Sequence, residues 1–132
     1  KIKKINVVLG EGYKHSLSWL KNDKVRSYQE LSPLEIKKEM QKSKLLIISS
    51  STISLEALTL NKKFVSVKTA ANQKYIFQGL NDYSQVYPID INEKINPQEV
   101  KKWIINQLYN CDLNYKKKNL SSMLSAVIPK LL

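Results

Sequence analysis

The chain has 132 residues, 42% of them hydrophobic, which suits one domain with a single core and makes a second domain unexpected. Its formal charge is +11, from 22 Lys+Arg against 11 Asp+Glu, and no stretch approaches the roughly twenty apolar residues that would cross a bilayer. The lone Cys111 allows no internal disulfide, and with His15 as the single histidine neither a metal cluster nor a cofactor is expected; a reducing cytoplasm is the expected location.

The predicted elements run in alternation. Ile5 to Leu9 reads as a strand that ends in the turn Gly10-Glu11-Gly12, and Ser16 to Lys21 has helical character. Because Lys1 stands where a Met would, and strand pattern follows at once, the chain is expected to begin inside a longer protein. Lys24 to Tyr28 is a short second strand. Ser32-Pro33-Leu34-Glu35 is a strong helix start: Ser32 as N-cap, Pro33 at the first helical position, Glu35 completing a capping box.

Leu45 to Ile48 has no polar alternation, which marks a strand covered on both faces and predicts a central position. It runs into Ser49-Ser50-Ser51-Thr52 and a helix carrying Ile53, Leu55, Ala57, Leu58 and Leu60, which ends around Asn61-Lys62. Lys63 to Val67 is another apolar strand. Thr69 to Gln73 is a polar loop that feeds a helix through Tyr75, Ile76, Phe77 and Leu80. Ser84 to Ile91 supplies the last strand, which Pro88 restricts to an edge or a strand end. Asn96-Pro97 opens an amphipathic helix with Val100, Trp103, Ile104 and Leu108 on one face, and Tyr115 to Leu132 continues as a second terminal helix broken by Pro129.

The order is five βα units, and right-handed crossovers make it an α/β fold: a doubly wound, mostly parallel, Rossmann-like sheet with C-terminal helices. Ligands in such sheets bind outside the carboxyl ends of the strands, so the turns Gly10 to Lys14, Ser49 to Thr52 and Lys68 to Lys74 share the expected binding edge. The hydroxyl-rich turn before a helix suits an anion, since the first helical amides have no intrahelical acceptor and the macrodipole adds partial positive charge. An ordinary N-capped helix after a core strand is the plainer alternative. Gly10-Glu11-Gly12 lacks the third glycine and the downstream acidic residue of a dinucleotide fingerprint, which argues against NAD.

Ser50-Ser51-Thr52-Ile53-Ser54-Leu55-Glu56-Ala57, then Phe64-Val65-Ser66-Val67, then Ala71-Asn72-Gln73-Lys74-Tyr75 resemble the C-terminal domain of GT-B nucleotide-sugar enzymes. The resemblance covers residues 2–110 and is closest to the UDP-sugar hydrolases of pseudaminic acid biosynthesis, bacterial relatives of the peptidoglycan UDP-GlcNAc transferase. It implies that Ser50, Ser51 and Thr52 receive the diphosphate, that Glu56 binds the ribose hydroxyls, and that Asn72 and Gln73 lie beside diphosphate and sugar. It also implies that Gly10 lines the edge and that Tyr28 or Leu31 meets the uracil. A carboxylate accepts from two vicinal hydroxyls and a carboxamide both donates and accepts, so the chemistry agrees. Ser51 stands where the transferase relatives have glycine, which narrows the backbone's freedom.

The implied partners are a UDP-sugar and an N-terminal catalytic domain of the same protein, which would carry the family's catalytic histidine. No catalytic residue is assigned here, and His15, in the first turn, is not read as that histidine. The resemblance implies a hydrolase that releases UDP from a diacetamido-trideoxy sugar, or, as an alternative, the donor-binding domain of a glycosyltransferase. A noncatalytic nucleic-acid module is a third reading that the charge raises. It is disfavoured: Arg26 is the single arginine and the lysines are scattered outside Lys116-Lys117-Lys118, without the Arg forks or interleaved aromatics of base readout.

Overall fold

The computed structural model describes residues 2–18 and 21–109. The predicted terminal helix, Tyr115 to Leu132, and Cys111 lie outside the described residues. The fold is α/β, and every described strand pairing is parallel. Contacts divide the chain into two compact units, Lys1–Glu39 and Met40–Leu132.

In the first unit β1 (Ile5–Leu9) pairs with β2 (Val25–Gln29), Ile5 opposite Val25 and Leu9 opposite Gln29. Of the helix predicted over Ser16 to Lys21, residues 16 and 17 are irregular and Ser18 has 3-10 geometry, and residues 19 and 20 lie outside the described residues. Local side-chain bonding accompanies the irregular start. Ser16 Oγ accepts from the Ser18 amide at 3.3 Å and pairs with Ser18 Oγ at 3.1 Å, offering the backbone an alternative to the helical ladder. Four βα units follow β1 among the described residues.

The capping box forms as read. Helix α1 (Pro33–Lys42) opens with the Ser32 amide donating to Glu35 Oε2 at 2.7 Å and the Glu35 amide donating to Ser32 Oγ at 3.3 Å. Near its other end Glu39 accepts from the Asn6 carboxamide of β1 at 2.9 Å.

The second unit is built on the sheet β3 (Leu45–Ser49), β4 (Lys63–Lys68) and β5 (Val86–Asp90), in that order across the sheet. The central position belongs to β4, not to β3 as the apolar run suggested. Phe64, Val65 and Ser66 are all buried, and since successive side chains alternate between faces, β4 is covered on both. Ile47 of β3 is 67% exposed. An apolar run states what a strand can bury; it does not state strand order. Pro88 sits on β5, the far edge, where a missing amide leaves no ladder bond unmade.

Between the strands lie α2 (Thr52–Thr59) and, after a single 3-10 turn over Ala71–Gln73, α3 (Lys74–Leu80); α4 (Pro97–Tyr109) follows β5. Helix α2 ends where expected, with Asn61 in the left-handed region at φ 56°. The Asn61 amide donates to the Leu58 carbonyl at 2.9 Å and the Lys62 amide to the Ala57 carbonyl at 3.0 Å, the paired bonds of a Schellman stop. Asn96 caps α4 by accepting from the amides of Gln98 and Glu99, and Trp103 packs on Tyr87 with ring centroids 5.5 Å apart. No helix among the described residues is long and apolar enough to cross a membrane.

Candidate functional site

Because β3 and β4 are parallel with Ser49 opposite Val67, the turn after β3 and the loop after β4 leave adjacent strands at one edge of the sheet. That edge carries Ser50, Ser51, Thr52, Glu56, Asn72 and Gln73 of the predicted set. Gly10 and Leu31 follow the paired ends of β1 and β2 in the other unit. Tyr28, expected in the loop after β2, lies within that strand, half-buried and opposite Val8. The loop itself begins at Glu30, whose φ of 54° places a non-glycine residue in the left-handed region.

The serines of the β3–α2 turn are engaged differently from one another. Ser50 is fully buried; its hydroxyl pairs with Ser66 Oγ at 2.7 Å and its amide donates to the Val67 carbonyl at 2.9 Å. It ties the turn to β4 and has neither group left for a diphosphate, which corrects its assignment as a ligand. Ser54, also fully buried, donates its hydroxyl to the Ser49 carbonyl at 2.6 Å.

Ser51 is the N-cap residue by position, with φ −129° and ψ −164°, yet its side chain makes no capping bond. Its hydroxyl pairs instead with Ser49 Oγ at 2.8 Å, and its amide donates to the Ser49 carbonyl at 2.9 Å. The expected cap is therefore withheld. The Ser54 amide finds the Ser51 carbonyl at 2.9 Å, while the amides of Thr52 and Ile53 open α2 with no intrahelical acceptor. Both are left at the positive end of a helix dipole, at the carboxyl edge of a parallel sheet.

Glu56 is exposed, four residues after Thr52 and so on the same side of α2. Gln73 is partly committed: its Oε1 accepts from the Thr69 amide at 2.8 Å and from Thr69 Oγ1 at 3.3 Å, which closes the 69–73 loop and leaves its NH₂. Asn72 is exposed on the 3-10 turn and is not a cap. That turn is preceded by Ala70, and α3 is preceded by Gln73, with no side-chain capping bond at either.

Two features here escaped the sequence reading. The buried hydroxyl pair Ser50–Ser66 was hinted at only by a serine inside an otherwise apolar strand. The other is the ion pair of Lys68 and Asp90, the last residues of β4 and β5, with Nζ and Oδ2 2.7 Å apart. Lys68, then the Asn92 amide at 3.0 Å, hold the Asp90 carboxyl below its ordinary range. The pair lines a cleft of about 500 Å³ together with Lys74, Phe77, Gln78 and Glu93. Among the described residues no three His, Cys, Asp or Glu side chains converge on a position that could hold a metal. The chain matches no family model, no curated protein and no solved structure.

Proposed function

We propose that this chain is the nucleotide-binding half of a nucleotide-sugar enzyme and that it holds a UDP-sugar by its diphosphate at the start of α2. The observation that carries the reading is the withheld cap: Ser51 turns its hydroxyl to Ser49, so two helix-opening amides are left for an external anion. Glu56, one turn on, supplies an acceptor for the ribose hydroxyls, and Asn72 with the free NH₂ of Gln73 flanks the diphosphate and sugar from the neighbouring loop.

In the complete enzyme, water attacks the anomeric carbon of a diacetamido-trideoxy sugar, the bond from that carbon to the diphosphate oxygen breaks, and UDP departs. This chain's part is to hold the leaving group and stabilise the charge that gathers on it. The activation of water belongs to a second, N-terminal domain.

Calorimetric titration with UDP tests the reading. Saturable binding is expected, and Glu56→Ala should weaken it about tenfold, the loss of a hydrogen bond to a charged group. A Glu56→Ala chain that binds UDP as the native one does would remove the ribose role. A native response to DNA of the same size as to UDP, collapsing with added salt, would point instead to nonspecific polyanion binding.

A further inference from the structure

The serine turn contains no cation of its own, although a diphosphate carries charge that two amides only partly balance. The adjacent strand supplies one. The carbonyl of Val67 accepts the Ser50 amide at 2.9 Å, and the next residue is Lys68, so its backbone borders the turn directly. Its side chain is drawn the other way, to Asp90 of β5 at 2.7 Å, with the ammonium 5.9 Å from the centroid of the Phe77 ring.

The two side chains are only 17% and 11% exposed. A pair so little hydrated gains less from its attraction than it loses in solvation unless further bonds support it, and here the support is one-sided. Asp90 also accepts from the Asn92 amide at 3.0 Å, so it keeps a partner when Lys68 leaves, whereas Lys68 makes no second hydrogen bond among the described residues. A lysine is a point charge on a flexible four-carbon stem, able to change anions without a change of backbone.

We propose that Lys68 is the cation that meets the ligand's diphosphate, and that Asp90 is its resting partner in the free protein. The proposal rests on the nucleotide-sugar reading of the β3–α2 turn. It adds that binding exchanges one ion pair for another, so that Asp90 competes with the ligand for Lys68.

Titration of the whole chain with UDP and with uridine, in the native protein, in Asp90→Asn, and in Lys68→Met combined with Asp90→Asn, tests the exchange. The double variant removes both charges together, leaving no lone carboxylate to unfold the edge. It should bind UDP about tenfold more weakly and uridine unchanged. Asp90→Asn alone should bind UDP more tightly than the native chain, because the competitor is gone. Native binding of UDP with undiminished affinity in the double variant overturns the role of Lys68 and leaves the site itself standing. Equal weakening in both variants reduces the pair to a structural one and also overturns the exchange. A native chain that does not bind UDP overturns the proposal and the site together.

Discussion

Ser49, Ser51 and Ser54 lie within six residues of one another, and their three hydroxyls share two bonds. Ser54 fastens to the Ser49 carbonyl, Ser49 occupies Ser51, and Ser51 is thereby kept from its own helix. The composition of the turn was legible in the sequence, but this division of labour was not. Serine is equally suited to capping, to back-bonding and to burial with a partner, and only the backbone geometry chooses among them. Ser49→Ala separates the choices. Without the Ser49 hydroxyl, Ser51 is released to cap α2, so the variant should gain up to about 1 kcal/mol of stability, the usual worth of an N-cap, while UDP affinity falls. Thermal unfolding and a UDP titration of the same preparation check both signs. A loss of stability would mean that the Ser49 hydroxyl is merely structural.

Among the elements, the ones written in local signals formed where they were read. Ser32-Pro33-Leu34-Glu35 and Asn96-Pro97 start helices because each motif satisfies orphan amides within its own few residues, and Asn61 stops α2 for the same local reason. The failures needed information from elsewhere in the chain. The position of β3 in its sheet depends on the partners it pairs with. Ser32→Ala should cost about 1 kcal/mol, measured by denaturant unfolding at neutral pH. The Ser32 amide, then its hydroxyl, lower the Glu35 carboxyl below its ordinary range. A lowered folded value means that stability from this bond is complete above the carboxylate's ordinary range and fades as pH falls through the folded value. Ser32→Ala keeps the Ser32 amide, so the pH test falls on Glu35→Ala: its stability difference from the native chain should narrow on acidification, and a constant difference would contradict the role of the carboxylate.

For the whole molecule, the sequence prescribed alternating strands and helices and so an α/β fold, and parallel pairing of all described strands bears this out. It also brought the turn after β3 and the loop after β4 to one edge, because consecutive parallel strands necessarily end on the same side. The register that sets Lys68 opposite Asp90 could not be read, since it depends on how β4 and β5 slide past each other. On the proposed reading, the uncapped opening of α2, with Glu56 and Asn72 beside it, forms one nucleotide site. Amide-resolved NMR of the labelled chain, titrated with UDP to millimolar concentration, tests it most directly. Saturable shifts at Thr52, Ile53, Glu56 and Asn72 that follow a single binding curve are expected; unmoved Thr52 and Ile53 amides, or shifts scattered over the lysine-rich surface without saturation, would rule the site out.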